Sequence, residues 1–216
     1  MRLAGMAELS SGARVLDVGG GLGGPARTLA VEYGCYVTVI DPTESYVRAG
    51  ELLTTRLGLG NRVKHRFGSG LELPFDDCEF DVVWTQNSGM NIADKDRLYA
   101  GFHRVLNSGG VLAFQEPMAG SVQPPIYPLM WARDASTSFV RRPAEMRALI
   151  EAASFRTRAW SDVTAANSAQ VPAEAPQAYG IPKIIMGDSY EAIMLAGKRN
   201  TDEGRVVSVH AVFDRV

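Results

Sequence analysis

This sequence has few cysteines, few histidines and no large excess of charge of either sign. Its 2 cysteines, Cys35 and Cys78, lie far apart without a CxxC pair, which argues against a disulfide framework and against a zinc site. Its 3 histidines are scattered, so we expect neither a metal ion nor a catalytic histidine. The net charge of -2 offers no basic surface for a nucleic-acid backbone, and we expect no nucleic-acid partner.

Long hydrophobic runs are missing as well. No run approaches the ~20 apolar residues that span a bilayer, and the initial residues MRLAG lack the apolar core of a signal peptide. We therefore expect a cytoplasmic protein with no membrane partner, and leave its oligomeric state open. The length of 216 residues, with 46% hydrophobic residues, predicts a single domain over residues 1–216.

Short apolar segments alternate with helical stretches, a pattern typical of crossover units on a parallel sheet. Strands are predicted over residues 14–18, 36–40, 63–67, 80–85, 111–115, 156–163 and 205–213. Helices are predicted from Pro25, over 45–56, from an Asp94 cap to Leu106, and over 144–153 and 184–199. We interpret 107–110 as a turn, 165–176 as a loose stretch, and the final strand as the one that closes the sheet.

Residues 118–138 differ from the rest of the chain. They contain Pro124, Pro125 and Pro128 together with aromatic side chains, and regular secondary structure accommodates such a segment poorly. Irregular segments of this length are often functional, so we interpret this one as an insertion on the substrate side.

A glycine-rich turn, GGGLGG, follows the first strand. The dinucleotide pattern GxGxxG is satisfied by Gly19, Gly21 and Gly24. The pattern DxGxGxG is satisfied by Asp17, Gly19, Gly21 and Gly23. Spacing alone does not choose between them, but a carboxylate at the strand end repels a pyrophosphate and attracts an ammonium group. Asp17 therefore favours a zwitterionic ligand.

Five segments occur in order over nearly the whole chain: VLDVGGGLGGPARTLA, VIDPTE, LPFDDCEFDVVW, FHRVLNSGGVLAF and GRVVSVHAVFDRV. Together they resemble class I S-adenosylmethionine-dependent methyltransferases, in particular the branch with sarcosine/dimethylglycine N-methyltransferases and quinone C-methyltransferases. The resemblance implies an α/β fold with a Rossmann-like seven-stranded sheet, mostly parallel with an antiparallel last strand, and helices on both faces. It also implies the cofactor S-adenosyl-L-methionine and methyl transfer to a small molecule with an amine, hydroxyl or activated carbon.

The same resemblance implies a cofactor site at the glycine turn. The methionine portion would be held by Asp17 and the backbone of Gly19, Gly21 and Gly23. Asp41 would accept the ribose hydroxyls, because a carboxylate can take two hydrogen bonds from a vicinal diol. An alternative role for Asp41 is a helix cap, with Pro42 as the first helical residue.

Two further loops would complete the cofactor site. Ser69, Gly70 and Leu71 would face the adenine, and Ser69 stands where relatives usually have an acidic residue. Ser69 is equally well explained as a turn serine. Gln86, after the fourth strand, would face the sulfonium without adding a competing charge.

The resemblance places the methyl acceptor between the loop after the fourth strand and the insertion. Substrate contacts are predicted for Asn87, Asn91, Tyr127 and Trp131. The asparagines are also typical turn formers, and the aromatic rings also suit ordinary packing. Glu116 and Asp134 would either orient an acceptor or cap backbone groups. No residue has the features of a dedicated general base, so the catalytic residue is left unassigned.

About a dozen residues precede the first predicted strand, whereas relatives carry further N-terminal helices that cover the cofactor. We therefore expect this chain to lack that lid, so that a longer chain, a partner chain or the insertion at 118–138 would supply the cover. An open site predicts cofactor binding with weak methyl transfer. The alternatives are a cofactor-binding protein without methyl transfer and, least supported by the pattern, an NAD-dependent oxidoreductase.

Overall fold

The computed structural model describes residues 2–168 and 187–216. Its strands are β1 (Arg14–Val18), β2 (Tyr36–Asp41), β3 (Val63–Phe67), β4 (Phe80–Gln86), β5 (Leu106–Ala119), β6 (Phe155–Asp162) and β7 (Val206–Arg215). The helices within these residues are α1 (Arg2–Met6), α2 (Gly24–Glu32), α3 (Glu44–Arg56), α4 (Lys95–Val105), α5 (Pro143–Ala152), α6 (Thr164–Ser168) and α7 (Tyr190–Asp202). Short 3-10 turns lie at Gly89–Asn91, Ala135–Thr137 and Gly187–Ser189.

The strands form one seven-stranded sheet in the order β3-β2-β1-β4-β5-β7-β6. The first five of these strands run parallel, and β7 is antiparallel to both β5 and β6. The predicted fold class is confirmed. Strand order reverses between β1 and β4, and ligands of open α/β sheets bind outside the carboxyl ends of the strands at such a switch point.

The final strand does not close the sheet, and that prediction was wrong. β7 lies between β5 and β6. Both of its faces are covered, since Ala211, Val212 and Phe213 are each 0% exposed. β6 has a single fully buried residue, Phe155, and forms the sheet edge. A strand buried on both faces is stable inside a sheet, whereas a more polar strand tolerates the edge.

The predicted turn at residues 107–110 was also wrong, because these residues belong to β5. Phe80 pairs with Leu106, and Val82 pairs with Val111, so the residues between them form an irregularity in the ladder. Asn107 Nδ2 donates to Asp81 Oδ1 at 2.6 Å, which fixes this segment against β4. At its other end β5 continues to Ala119, so it includes the start of the predicted insertion.

The predicted helices are present with shifted ends. Asp94 caps α4 as predicted, accepting a hydrogen bond from Arg97 N–H at 3.0 Å. α3 begins at Glu44 after Thr43, so Pro42 is not its first residue. In the predicted loose stretch, residues 165–168 belong to α6. Residues 169–176 lie outside the described residues, as do residues 184–186 of the last predicted helix.

Helices cover both faces of the sheet, as the fold class predicts. On one face, α4 and α5 pack on the sheet through Leu98, Phe102, Met146 and Ile150. On the other face, α1 and α2 pack through Leu3, Ala26 and Leu29. In the part of the chain that the structure describes, no helix has the length and apolar character to cross a membrane.

Candidate functional site

The glycine turn lies at the carboxyl end of β1 and leads into α2. Gly19 and Gly21 have φ of 71° and 55°, left-handed values that strongly favour glycine. A Cβ at Gly19 would lie 2.4 Å from Ser88 Cβ, so this side of the turn packs directly on the loop after β4. A Cβ at Gly21 would meet only Tyr46 Cδ2, at 4.0 Å. The turn therefore has one packed side and one open side.

Asp17 lies directly beneath this turn. It is 1% exposed, and its Oδ2 has no hydrogen-bond partner. A Cβ at Gly20 would lie 2.5 Å from this oxygen. Burial and, secondarily, the negative charge of Asp41 raise the pKa of Asp17 to about 7. A buried acceptor without a donor is costly, and a cationic group that reached it would relieve that cost.

Asp41 ends β2 and holds backbone groups on two sides. Gly21 N–H donates to Oδ2 at 3.0 Å, and Thr43 N–H donates to Oδ1 at 2.8 Å. Each oxygen retains capacity for another hydrogen bond, so a ribose diol remains chemically compatible with this carboxylate. The helix cap considered for Asp41 from the sequence was wrong, because Thr43 is the residue that precedes α3. Pro42 lies between the two residues.

The loop after β3 packs against the same region. Leu71 N–H donates to Ser69 Oγ at 3.1 Å, so Ser69 forms the turn that the sequence allowed. A Cβ at Gly70 would lie 2.9 Å from Val18 Cγ1, which shows that this loop lies close to the end of β1. Ser69 is exposed, and its hydroxyl hydrogen is free to donate elsewhere.

Gln86 belongs to a polar row that crosses three neighbouring strands. Its Nε2 donates to Gln115 Oε1 at 3.4 Å, and the same oxygen is hydrogen-bonded to His210 Nε2 at 2.8 Å. Burial lowers the pKa of His210. The next residue, Asn87, is exposed, has φ of 54° and donates its N–H to the Gln115 carbonyl at 2.9 Å. Asn87 thus makes a turn, which was its alternative role in the sequence analysis.

The insertion is fastened to the loop after β4. Asn91 Nδ2 donates to the carbonyls of Trp131 and Thr137 at 2.9 and 2.8 Å. Trp131 is half-buried, and its Nε1 donates to Ser138 Oγ at 3.1 Å. Tyr127 is also half-buried. The structure therefore brings Asn91 and Trp131 into contact, and their predicted contact with substrate stays a prediction.

The carboxylates Glu116 and Asp134 both bind backbone N–H groups. Asp134 is exposed and accepts from Ser136 N–H at 2.8 Å, which caps a 3-10 turn. Glu116 is 3% exposed and accepts from the N–H groups of the loop after β4, with Gly89 closest at 2.8 Å. Capping, one of the two roles considered from the sequence, describes both residues.

A histidine that sequence reasoning set aside lies beneath the far end of the glycine turn. Gly23 has φ of 73°, and a Cβ there would lie 2.5 Å from His65 Cε1. His65 Nε2 is hydrogen-bonded to Thr54 Oγ1 of α3 at 2.9 Å. Burial lowers the pKa of His65. The sequence signal that could have identified His65 was its position on β3, the neighbour of β2, which ends at Asp41.

The predicted cofactor residues fall into one region. Asp17, Gly21 and Asp41 meet at the glycine turn, and Gly70 lies against the end of β1. Ser88, Glu116 and Lys95, which join this turn to neighbouring strands, were not predicted as a group. Of these three residues only Glu116 carried a signal, as a charged residue in the mostly apolar segment VLAFQEPMA.

Comparison with known proteins identifies this region. Residues 16–114 match the family described as "Methyltransferase domain". The matched residues are similar to that family and make up a little under half of the chain. The match confirms the resemblance seen in the sequence, and the matched residues include the glycine turn, both aspartates and the loop after β4.

One curated relative is the glycine/sarcosine/dimethylglycine N-methyltransferase of Actinopolyspora halophila. It is 39% identical to this chain over 118 residues, which are 55% of this chain and 21% of that enzyme. The chain thus spans well under half of the length of that relative.

Solved structures share the fold over nearly the whole chain. Phosphoethanolamine N-methyltransferase 2 of Haemonchus contortus, in complex with S-adenosylhomocysteine, has a TM-score of 0.82 at 17% identity, covering 99% of this chain and 51% of that one. The 4+2 cyclase SpnF has a TM-score of 0.77 at 22% identity, covering 99% of this chain and 79% of that one. At these identities the likeness concerns the fold.

Proposed function

We propose that this protein transfers a methyl group from S-adenosyl-L-methionine to a small molecule with an amine, hydroxyl or activated carbon. The observation that carries the proposal is the buried Oδ2 of Asp17, which lies without a partner beneath an open glycine turn. The match to the methyltransferase domain family and the methyltransferase names of relatives support it. The single-domain organisation over residues 1–216, with residues 118–138 on the substrate side, is part of this proposal.

The cofactor would supply a methyl group already activated by a sulfonium. Asp17 would hold its ammonium group, the backbone of the glycine turn would allow close approach, and Asp41 would accept the ribose hydroxyls. Ser69, Gly70 and Leu71 would border the adenine. Gln86 has an uncharged amide and would orient polar groups near the reacting atoms without competing with the sulfonium charge. The acceptor would be bordered by Asn87, Asn91, Tyr127 and Trp131. Alignment of acceptor and methyl group would provide most of the rate.

The location and the partners remain predictions of the sequence. The protein is proposed to act in the cytoplasm on a small-molecule acceptor, without a nucleic-acid or membrane partner. Its near-balanced charge supports the first exclusion, since 22 basic residues face 24 acidic ones.

Calorimetric titration tests the proposal. We expect S-adenosylhomocysteine to bind with a stoichiometry of about one per chain, and NAD to produce no saturable heat, because a carboxylate under the turn disfavours a pyrophosphate. A panel of amine, hydroxyl and activated-carbon acceptors, assayed for S-adenosylhomocysteine release, then identifies the acceptor class. Binding of NAD in place of S-adenosylhomocysteine would contradict the proposal.

A second candidate is a protein that binds the cofactor without transferring its methyl group. The fold shared with a structure named as a cyclase supports this candidate. It predicts S-adenosylhomocysteine binding with no release of S-adenosylhomocysteine from the cofactor for any acceptor in the panel.

A further inference from the structure

Glu116 is a buried carboxylate that holds three consecutive amides of one loop. Ser88 N–H and Gly89 N–H donate to Oε1 at 3.2 and 2.8 Å, and Met90 N–H donates to Oε2 at 3.3 Å. Burial raises the pKa of Glu116, while these amides and the charge of Lys95 act in the opposite direction. Carboxylate–amide bonds of this kind are stronger than bonds between neutral groups. The carboxylate therefore fixes the backbone of residues 88–90.

Lys95 holds the same loop through a backbone carbonyl. Its Nζ donates to the Gly89 carbonyl, and Lys95 is only 4% exposed. Burial lowers the pKa of Lys95 to about 8. A cavity of about 10 Å³, large enough for about one water molecule, lies between Glu116, Lys95, Tyr99 and Arg141. Gly89 is thus held at both its N–H and its carbonyl group.

The fixed loop in turn contacts the end of β1. Ser88 Oγ donates to the Val18 carbonyl at 3.1 Å and is hydrogen-bonded to Thr85 Oγ1 at 2.5 Å. The Ser88 side chain also occupies the space that a Cβ at Gly19 would need. Gly19 N–H donates to the Ile40 carbonyl at 2.8 Å, so hydrogen exchange at this amide reports on the first residue of the turn.

We propose that Glu116 is a positioning residue for the glycine turn: it fixes residues 88–90, and Ser88 then fixes Val18 and Gly19. Glu116 itself lies on β5 and makes none of these contacts with the turn directly. The inference rests on the proposed function only in taking the turn as the cofactor site. Lys95 supports the same loop and is the counter-charge to Glu116.

Amide hydrogen exchange in the ligand-free protein tests this coupling. Glu116→Gln keeps the size of the side chain but replaces one oxygen with an NH₂ group, which cannot accept from an amide. We expect the amides of Ser88, Gly89 and Met90 to exchange about tenfold faster or more, and Gly19 and Gly21 to accelerate as well. Acceleration confined to residues 88–90, or no acceleration at all, would overturn the proposal.

Ser88→Ala tests the second link, from Ser88 to Val18 and Gly19, without changing Glu116. It replaces Glu116→Gln as the test if that variant fails to fold. It keeps the Ser88 amide that donates to Glu116 but removes the hydroxyl that donates to Val18. We expect faster exchange at Gly19 with residues 88–90 still protected; unchanged exchange at Gly19 would contradict the inferred link. The matched controls are Glu151→Gln, which removes a charge, and Ser10→Ala, which removes a hydroxyl, and both sites are exposed and lie outside the loop after β4 and the insertion.

Titration with S-adenosylhomocysteine adds a functional readout. We expect Glu116→Gln to weaken binding by roughly tenfold, with Glu151→Gln unchanged and Glu116→Asp, which keeps the charge, intermediate. Wild-type affinity in Glu116→Gln would overturn the positioning role. If the wild-type protein does not bind S-adenosylhomocysteine, the proposed function fails, while the exchange data still decide whether Glu116 positions the turn.

Discussion

Asp17 should make both stability and cofactor affinity depend on pH. Because folding raises the pKa of Asp17 from 3.8 to about 7, the ligand-free protein binds this proton more tightly than the unfolded chain does. The resulting stability is complete below about pH 4 and is lost as the pH rises through 7, by at most about 4 kcal/mol. An ammonium group instead requires the ionised form, so affinity for S-adenosylhomocysteine should rise by about tenfold in total between pH 6 and 8.

The comparison of wild type with Asp17→Asn isolates this group from other titrating residues. We expect the variant to lose the pH-dependent difference in denaturation midpoint and to bind weakly at every pH. A wild-type affinity that stays flat from pH 6 to 8 would remove Asp17 from contact with the ammonium group.

Asp41→Ala should weaken S-adenosylhomocysteine binding by about 1 to 3 kcal/mol, the range for leaving polar partners unsatisfied. The variant loses the predicted ribose contacts and also frees the amides of Gly21 and Thr43. Asp41→Asn separates the charge from the hydrogen bonds, because it keeps one acceptor. Since Asp41 contributes to the raised pKa of Asp17, this variant should move the pH dependence of Asp17 downward. An unchanged dissociation constant in Asp41→Ala would exclude Asp41 from the site.

The glycine turn, as an element, should tolerate substitution at one end and not at the other. Gly19→Ala combines a φ of 71° with a Cβ 2.4 Å from Ser88 Cβ, so we expect a loss of about 2 kcal/mol or more in the free energy of unfolding. Gly24→Ala is the matched control, because Gly24 is helical and has no atom within 4 Å of the added Cβ. Chemical denaturation measures both, and equal stability of the two variants would contradict this account of the turn.

The insertion is an element that depends on a distant helix for its position. Asn200 of α7 is 1% exposed, accepts from Ile126 N–H at 2.8 Å and donates to the Ile126 carbonyl at 2.7 Å. Asn200→Ala should release this part of the insertion. We expect the KM for the methyl acceptor to rise while the dissociation constant of S-adenosylhomocysteine stays within about twofold. A change in cofactor affinity alone would show that the insertion serves the cofactor instead.

At the scale of the whole molecule, the sequence predicted what depends on local pattern. Short apolar runs followed by glycines predicted β1 and β3 with their observed ends. Asp94 was recognisable as a helix cap from the residues that follow it in the sequence. The position of β7 between β5 and β6 depends on pairing between distant segments, which no local pattern reports. The role of Glu116 likewise depends on bonds to residues 26 to 28 positions away. Side chains that hold backbone through such long-range contacts were therefore predicted only as isolated polar residues.

The strand order has a consequence for how the chain matures during synthesis. β6 is synthesised before β7, yet among the strands that the structure describes β7 is the one neighbour of β6, and it also covers the outer edge of β5. Until residues 206–215 emerge from the ribosome, the amides and carbonyls that pair with β7, on β6 and on the outer edge of β5, lack these partners. Exposed strand edges pair readily with other chains, so a nascent or C-terminally nicked molecule should recruit chaperones and aggregate more readily than the complete sheet.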